Sequence, residues 1–409
     1  MKNLGHTSER LISFHCCRLR SAKSRCENRT VCPVQMMRHF KIGWGRHPRS
    51  IRLPESTRIL RKAKPARVDV SGFDLNSALR RPVGCSPLLD LVSQASSIVI
   101  LIPDETRFDV ASLVLPTLIP MLDGKSVSIG IAAGKHPFQS SELSDWCHNA
   151  SATDLVFLGK TKRQTPVAYP EVVLKADLRI LLGEIKPHYF AGFSGGAKTL
   201  FPGVAGAEGI WKNHRLKAEP DSQLGQVSAN PCRLDMEEAA EMAGPSYIIN
   251  LVRDIEGDSI YYISGHTVAA HRVGVDLARS IYETEVTTKA DTVIVSDRTP
   301  MTMNLYQACK LIPPAARVLK PGGTIILCAE CPDGLGPTTV INESIYRLGL
   351  RPILPDSHKV ILVSDQPEEL VRETFAEYAG SIDDALSKVE TNNILLLPYA
   401  GDMIPVPQT

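Results

Sequence analysis

Short apolar runs rich in Ile, Val and Leu recur along the chain, and each is bounded by a turn signal. Between several of them lie stretches in which apolar residues have helical spacing. The runs are SSIVILIPDE, SVSIGIAAGKH, ADLRILLGEIKPH, ADTVIVSD, GGTIILCAE, HKVILVSD and NNILLLPYAG, and the helix-like stretches include NLYQACKLI, TTVINESIYRLG and PEELVRETFAEYAG. Short buried strands that alternate with amphipathic helices are typical of parallel sheets flanked by helices. The sequence therefore predicts an α/β fold.

A polar run, ETEVTTKA at residues 283–290, separates a helix-like segment from the next apolar run. We place a domain boundary there. The prediction is a larger first domain over residues 41–285 and a smaller α/β domain over residues 286–409. With 409 residues, the chain is long enough for about two or three domains.

Residues 1–40 form a separate basic extension. They contain eight Lys or Arg residues against two Glu, together with Cys16, Cys17, Cys26 and Cys32, and they show no apolar periodicity. A transit-like presequence and a zinc knuckle are alternatives, although the cysteines do not form paired C-x-x-C units. We expect this extension to be poorly structured.

Charge and hydropathy exclude two classes of partner. The formal net charge is +2, and beyond the extension the 46 basic and 44 acidic residues fall to 38 and 42, which gives no reason to expect nucleic acid. No window has the roughly 18 uninterrupted apolar residues of a membrane span. Cys328 and Cys331 end an apolar run, and we expect them to be reduced thiols in the core of a cytoplasmic protein.

Polar residues follow three of the apolar runs at the point where each run ends. Asp104 and Arg107 follow the first run, His136 the second and His188 the third. Ligands of open parallel sheets bind beyond the carboxyl ends of the strands. The sequence therefore predicts a shared site across these three ends.

The stretch HYFAGFSGGAKTLFPG, residues 188–203, nearly matches the phosphate-binding loop of ATP and GTP enzymes. That loop has the pattern G-x-x-x-x-G-K-[ST] and opens a helix whose amides face the phosphates. Here Ala197 replaces the Gly before Lys198, and Pro202 would break a helix after about one turn. The pattern instead favours a Gly-rich turn that brings the backbone close to a ligand, with the Lys198 amine beside it.

This loop and the strand ends together resemble the nickel-dependent lactate racemase family. In that family a D-x-T-R segment ends one strand, a G-x-H segment ends a later one, and H-x-x-A-G-x-S-G-G-x-K-x-x-x-P-G carries the cofactor lysine. The chain has these segments in the same order, followed by a further histidine and a Tyr-Gln-x-x-Lys segment. The matching residues are Asp104, Thr106, Arg107, Gly134, His136, residues 188–203, His214, Tyr306, Gln307 and Lys310. The resemblance runs from about Lys41 to the end of the chain.

The resemblance implies a racemase or epimerase of a 2-hydroxy acid, with lactate as the default substrate. The family is understood to remove a hydride from carbon 2 and to return it to either face of a 2-keto acid. It uses a nickel pincer nucleotide that is joined to a lysine, and nickel suits such a soft, sulfur-rich, square-planar site. The resemblance also implies cofactor-biosynthesis proteins as loading partners, and an active site in the cleft between two domains.

Each matching residue takes a role from the resemblance. An imidazole can accept and return a proton near neutral pH, and Arg offers a carboxylate a fork of donors. The implied catalytic residues are His136 and His188; the substrate-binding residues are Arg107, Tyr306, Gln307 and Lys310; the cofactor-binding residues are Lys198, which is the tether, with Ser194, Gly195, Gly196, Asp104 and Thr106; and the nickel ligand is His214.

Two residues near the expected pocket depart from the family pattern. Pro137 stands where Arg is common, and Phe108 stands where Pro is common. A racemase of a different 2-hydroxy acid and a non-catalytic relative that binds a nucleotide are the alternatives. The structural alternatives are solvated or core histidines, an Asp104–Arg107 pair that stabilises a turn, and an exposed helix face.

Overall fold

A computed structural model of the protein describes residues 36–61, 73–137, 139–254, 259–389 and 393–408. The cysteines of the basic extension, Cys16, Cys17, Cys26 and Cys32, lie outside the described residues. Of the predicted extension, residues 1–40, the structure describes only residues 36–40, and Met37 to Phe40 belong to a strand, so this end of the extension is structured. The expectation for residues 1–35 stays a prediction.

The strands divide into two halves along the chain. The first half contains β1 Met37–Ile42, β2 Arg49–Pro54, β3 Arg58–Ile59, β4 Ser97–Pro103, β5 Ser126–Ala132, β6 Trp146–Cys147, β7 Val156–Lys160, β8 Pro166–Tyr169, β9 Leu178–Glu184, β10 Pro187–His188, β11 Gly192–Phe193, β12 Ser246–Arg253 and β13 Ile260–His266. The second half contains β14 Glu283–Val286, β15 Ala290–Ser296, β16 Leu319–Cys328, β17 Lys359–Val363, β18 Glu377–Ala379, β19 Ile394–Leu397 and β20 Ile404–Pro407.

Helices alternate with these strands. They are α1 Leu75–Arg80, α2 Leu88–Gln94, α3 Ala111–Leu118, α4 Glu171–Lys175, α5 Ala207–Arg215, α6 Pro231–Glu241, α7 Ala269–Tyr282, α8 Leu305–Ala308, α9 Ile312–Val318, α10 Glu368–Val371 and α11 Ile382–Ser387, together with a π-helix over Val340–Leu350. Among the described residues, no helix is both long and apolar enough to cross a bilayer.

The first large sheet has the strand order β13-β12-β9-β4-β5-β6. Its neighbours pair in parallel, except that β13 runs antiparallel to β12. The inner strands β4 and β9 are buried almost throughout, because helices and loops cover both faces of the sheet. Continuous apolar runs are the sequence pattern that this burial requires.

The second large sheet has the order β18-β17-β16-β15-β19-β3, and all of its pairs are parallel. The two sheets with their flanking helices confirm the predicted α/β class. The predicted domain boundary between residues 285 and 286 stays a prediction.

Residues near the start of the described chain belong to the second sheet rather than the first. Strand β3 pairs with β19, and the β1–β2 hairpin packs on the same sheet through Phe40, Ile42 and Leu53. Their partners in this cluster include Ile294 and Ile361. From residue 37 onward, the chain therefore packs first on the second sheet and then crosses to build the first.

Polar contacts join the two halves beside the carboxyl ends of the first sheet. Lys186 Nζ lies 3.3 Å from Asp402 Oδ1, and Lys217 Nζ donates to the Ser344 hydroxyl at 3.0 Å. Arg317 donates to the Leu224 carbonyl at 3.2 Å. These contacts border the cleft in which the predicted site residues lie.

Candidate active site

Three neighbouring strands of the first sheet end at one edge, and a predicted site residue follows each. Strand β4 leads to Asp104, β5 leads to His136, and β9 leads to His188. Since β9, β4 and β5 are adjacent and parallel, their carboxyl ends lie together. The sheet order thus brings the three ends into one region, as the sequence pattern predicts.

Asp104 organises the first two of these ends. Its side chain is 5% exposed and lies 3.2 Å from His136 Nδ1 and 3.7 Å from Arg107 Nε, and it accepts the amide and hydroxyl hydrogens of Thr106. Burial alone would raise the pKa of Asp104, but the His136 contact and the Arg107 charge lower it to about 2. The contact lacks hydrogen-bond geometry, but the carboxylate charge beside Nδ1 favours the neutral form of His136 that has its proton on Nδ1 and its lone pair on Nε2.

The Gly-rich loop is a series of turns and does not open a helix. Gly192, Gly195 and Gly196 have φ values of 75°, 73° and 63°, which glycine adopts without strain. A single 3₁₀ turn covers Gly196–Thr199, and helix α5 begins only at Ala207. A triphosphate-binding loop places its lysine at the start of a helix. This loop lacks that geometry.

Lys198 and His188 face each other across the loop. Lys198 Nζ lies 3.4 Å from His188 Nε2, and the Ala191 amide donates to His188 Nδ1 at 3.2 Å. The second contact places the proton of the neutral ring on Nε2, where it points at the lysine amine. Burial, and then the charge of Arg233, lowers the pKa of Lys198 to about 7. A large share of Lys198 is therefore a neutral, nucleophilic amine near neutral pH.

Phe190 packs between His188 and His214. Its ring centroid lies 4.7 Å from that of His188 and 5.1 Å from that of His214, and Lys198 Nζ lies 5.6 Å above its face. Burial is the main reason that the pKa values of His188 and His214 fall well below 6.5, and the Lys198 charge is the second. Both imidazoles are therefore neutral at physiological pH.

His214 has the properties of a metal ligand. Its Nδ1 is buried beside the Ile210 backbone, and the ring lines the cleft, which leaves Nε2 for a ligand. A neutral imidazole with an uncommitted nitrogen suits a borderline-soft divalent metal. The described ranges contain no group of three or more His, Cys, Asp or Glu side chains placed for a metal ion. The family resemblance implies only one protein ligand for nickel, His214, and so does not call for such a group.

Two of the loop residues predicted to bind the cofactor already donate their hydrogens within the protein. The Ser194 hydroxyl donates to the Glu184 carbonyl at 2.6 Å, and the Gly196 amide donates to the Asn250 side-chain oxygen at 2.7 Å. A Cβ atom on Gly195 would lie 2.7 Å from that same oxygen. These three residues therefore shape the loop, and their contact with a cofactor stays a prediction.

The predicted site residues of the second half of the chain lie on the short helix α8 and in the turn that follows it. Asn304 caps α8 by accepting the Gln307 amide at 2.9 Å. Lys310 donates to the Gln307 side-chain oxygen and lies 5.9 Å from the centroid of the Tyr306 ring. Burial, and then the charge of Arg107, lowers the pKa of Lys310 to about 7. Arg107 and Lys310 thus influence each other across the cleft.

A cavity of about 1320 Å³ connects these groups. Every predicted site residue lines it except Gly196, which packs against the His271 ring instead. Phe108 also lines the cavity, and its ring centroid lies 3.8 Å from the guanidinium carbon of Arg253. Pro137, the other departure from the family pattern, is exposed.

Two family models match the chain over ranges that contain most of the residues lining this cavity. The lactate racemase N-terminal domain matches residues 44–225, and the lactate racemase C-terminal domain matches residues 286–347. The chain belongs to the lactate racemase family. Every predicted site residue lies within one of the two matched ranges. Membership of this family makes the protein an enzyme of the isomerase class.

Individual members of the family are similar to the chain over most of its length. A lactate racemase of Thermoanaerobacterium thermosaccharolyticum is 30% identical over 406 residues, which cover 87% of this chain and 95% of that protein. A lactate racemase of Lactiplantibacillus plantarum is 29% identical over 360 residues, which cover 77% of this chain and 85% of that protein.

Solved structures agree with the family fold. The structure of the lactate racemase apoprotein from Thermoanaerobacterium thermosaccharolyticum superposes with a TM-score of 0.81 at 27% identity, over 90% of this chain and all 100% of that one. A protein of Thermotoga maritima has the same fold, with a TM-score of 0.61 at 16% identity, over 78% of this chain and 97% of its own.

Two buried residues of the site were not predicted from the sequence. Phe190 lies within the family pattern, but the pattern gives it no role. Arg233 lies in NPCRLDMEE, where Asn230 and Pro231 mark only the start of a helix. No sequence signal indicates that the Arg233 side chain turns inward, because its partners are backbone carbonyls of a distant loop.

Proposed function

We propose that the protein interconverts D- and L-lactate, or a closely related 2-hydroxy acid, by hydride transfer through a 2-keto acid. The observation that supports this most directly is the single cavity lined by the Lys198 amine and the rings of His136, His188 and His214. The names of the two curated relatives, both lactate racemases, favour lactate as the substrate.

The cavity residues fit the nickel pincer nucleotide that the family resemblance implies. Lys198, with its pKa lowered to about 7, offers a free amine for the covalent tether. His214 offers a neutral ring that lines the cavity as the protein ligand for nickel. When bound, the cofactor supplies an acceptor for the hydride of carbon 2.

Arg107 binds the substrate carboxylate in this proposal. Its side chain is 49% exposed, lines the cavity and contacts Asp104 through Nε, so the contact with Asp104 leaves the two terminal nitrogens for a substrate. A planar fork of donors matches a carboxylate in a way that an ammonium cannot. Lys310 and Tyr306 line the same cavity from the second half of the chain.

His136 is oriented to take the hydroxyl proton of the substrate. The Asp104 charge beside Nδ1 favours the proton of the neutral His136 ring on Nδ1, and the Nε2 lone pair remains for the substrate. Hydride loss from carbon 2 requires such a base, and access to both enantiomers requires one on each side.

His188 is the second base, but its ring is held differently. The Ala191 amide occupies Nδ1, and the proton of the neutral ring is on Nε2. His188 can accept a proton at Nε2 only after its own proton has moved to Nδ1 and the Ala191 contact has opened. The two histidines are thus not equivalent before the substrate binds.

The proposal is tested with D-lactate that carries deuterium at carbon 2. Holoenzyme, produced together with the family's cofactor-biosynthesis proteins, should convert it to an equal mixture of enantiomers. Deuterium should remain in both, because a hydride does not exchange with water. Exchange of the label into water would contradict hydride transfer, and an absence of interconversion for all 2-hydroxy acids tried would contradict the racemase.

Lys198→Arg keeps a long basic side chain but removes the nucleophilic amine, so we expect it to be inactive. Lys175→Arg, at a side chain that is 72% exposed on α4, is the matched control and should retain full activity. Mg-ATP binding that is lost in Lys198→Ala, in a protein without nickel, would favour the nucleotide-binding alternative over the racemase.

We further propose a cytoplasmic enzyme in which residues 41–285 bind the cofactor and residues 286–409 form the smaller domain. The six described cysteines are free thiols, as is usual in a reducing compartment. The strands of the two large sheets lie on either side of the proposed boundary, with the exception of β3.

A further inference from the structure

Arg233 is the bulkiest of the fully buried side chains in the described part of the chain, with 0% exposure. It lies in the first turn of α6, whose N-terminus is capped by Asn230. A buried guanidinium requires acceptors for its N–H groups, and an unsatisfied one is strongly destabilising. The partners of Arg233 therefore indicate what it does.

Those partners are three carbonyl oxygens of the turn between His188 and Lys198. Arg233 Nε donates to Ala191 at 3.3 Å, one terminal nitrogen donates to Gly195 at 3.1 Å, and the other donates to Phe193. Only the planar fork of an arginine can reach three carbonyls that point in different directions.

The Ala191 residue links Arg233 to His188. Its carbonyl accepts from Arg233 Nε, and its amide donates to His188 Nδ1 at 3.2 Å. His188 Nε2, which carries the proton, lies in turn 3.4 Å from Lys198 Nζ. One guanidinium thus fixes the backbone whose amide decides which nitrogen of His188 carries the proton.

Arg233 also adds positive charge beneath the loop. Its nearest carboxylate, Glu237, lies 3.9 Å away and is bound by both terminal nitrogens of Arg272, at 2.8 and 2.7 Å. Two guanidinium groups therefore share one carboxylate. After burial, the Arg233 charge is the largest cause of the lowered pKa of Lys198.

We propose that Arg233 is a positioning residue, which holds the turn 191–195 and thereby orients His188 and Lys198 toward each other. This inference rests on the proposed function in that Lys198 is the tether and His188 an acid–base group. Arg233 itself does not line the cavity and does not touch the substrate. Its effect is transmitted through Ala191.

The test uses the ligand-free, full-length protein and does not depend on racemase activity. Arg233→Lys keeps the charge but loses the fork, and Arg233→Gln loses both. Arg179→Lys is the matched control, because Arg179 is also buried and donates to two carbonyls, of Pro245 at 3.2 Å and Leu174 at 2.9 Å, outside the site.

The first readout is the ¹⁵N spectrum of His188, which distinguishes the two neutral forms of the ring. The wild type and Arg179→Lys should show the proton on Nε2. Both Arg233 variants should show a mixture of Nε2–H and Nδ1–H, because the Ala191 peptide is no longer fixed. A residue that only stabilised the fold would leave this pattern unchanged.

The second readout is the pH dependence of Lys198 acylation by acetic anhydride, measured by peptide mass spectrometry with Lys175 in the same sample as reference. The wild-type midpoint should lie at about pH 7. We expect it to rise by about one pH unit in Arg233→Gln and to remain near the wild-type value in Arg233→Lys, which keeps the charge.

A folded Arg233 variant that retains the wild-type His188 spectrum would overturn the proposal. If Arg233→Gln does not fold, the His188 spectrum of Arg233→Lys decides. If Arg233→Lys does not fold either, while Arg179→Lys does, the residue serves the fold rather than the site and the proposal is wrong. Failure of the racemase assay would leave all of these outcomes readable.

Discussion

Replacing Asp104 with asparagine should destabilise the protein by an amount that the structure specifies. Asparagine resembles the protonated acid in shape and charge, so the change removes what the ionised carboxylate contributes. The carboxyl is 5% exposed, and although burial raises its pKa, the His136 contact and the Arg107 charge lower it from 3.8 to about 2. One pKa unit corresponds to about 1.4 kcal/mol, so we expect a loss of about 2 kcal/mol at pH 7.

The pH dependence of this loss has a definite sign. A carboxyl with a lowered pKa in the folded state stabilises the protein fully above the unfolded pKa of 3.8, and the stabilisation disappears as the pH falls toward about 2. The asparagine side chain of the variant does not titrate. The difference between the two proteins should therefore be largest near neutral pH and should decrease below about pH 4.

Urea unfolding of both proteins between about pH 3 and pH 7 measures this difference. Asp154→Asn is the control, because Asp154 is exposed, and it should change the free energy of unfolding by less than about 0.5 kcal/mol. If Asp104→Asn equals this control at pH 7, or if its loss does not decrease with falling pH, the proposed Asp104–His136 interaction is wrong.

Three further predictions concern the site and its surroundings. His136→Ala and His188→Ala should each lower kcat by about 10²- to 10⁴-fold in chiral lactate assays, and an unchanged rate in either would remove that base from the mechanism. Burial and the neighbouring Asp402 carboxyl raise the pKa of Asp297, so above about pH 4 its folded form keeps a proton that the unfolded chain has lost. In urea unfolding, the wild type should therefore lose stability relative to Asp297→Asn as the pH rises above about 4, and a constant difference would contradict the raised pKa. Gly192→Ala puts a Cβ 1.9 Å from the Gln226 carbonyl oxygen and should lower the free energy of unfolding in urea by more than about 1 kcal/mol. Gly124 also has a φ of 75°, but nothing lies within 4 Å of a Cβ added there, so Gly124→Ala should lower the free energy of unfolding by less.

Strands of the parallel sheets could be predicted well from the sequence. The seven apolar runs became β4, β5, β9, β15, β16, β17 and β19. Burial on both faces requires continuous apolar residues, and this requirement leaves a strong pattern. Strand β12 was not identified, although it lies beside β9 and carries Asn250, which binds the Gly-rich loop.

One helical prediction was partly wrong. The stretch PEELVRETFAEYAG, residues 367–380, forms a helix only over Glu368–Val371, and its end, Glu377–Ala379, joins the second sheet as β18. Leu362 of β17 pairs with Tyr378, and Phe375 stacks on Tyr346 at 4.2 Å. Pairing at a sheet edge overrides helical spacing here, and local sequence does not encode it.

The sequence could predict which residues come together around one cavity, but it could not predict their hydrogen bonds. Segments far apart in the chain supplied Asp104, His136, Lys198 and His214, and the structure brings them to one cavity. The proton positions of the histidines depend on an acidic partner and on a backbone amide, whose placement only the folded chain defines. The buried orientation of the Arg233 side chain likewise depends on carbonyl groups of a distant loop, which only the folded chain places beside it.

The central claim is that Lys198 carries a nickel cofactor within the cavity that it shares with His214. Mass spectrometry of the peptide that contains Lys198, combined with nickel analysis, tests it in protein produced together with the loading proteins. We predict a nucleotide-sized adduct on Lys198 and stoichiometric nickel, with the adduct absent in Lys198→Ala and the nickel reduced in His214→Ala. Racemisation by a protein whose Lys198 is unmodified and which holds no nickel would contradict the account.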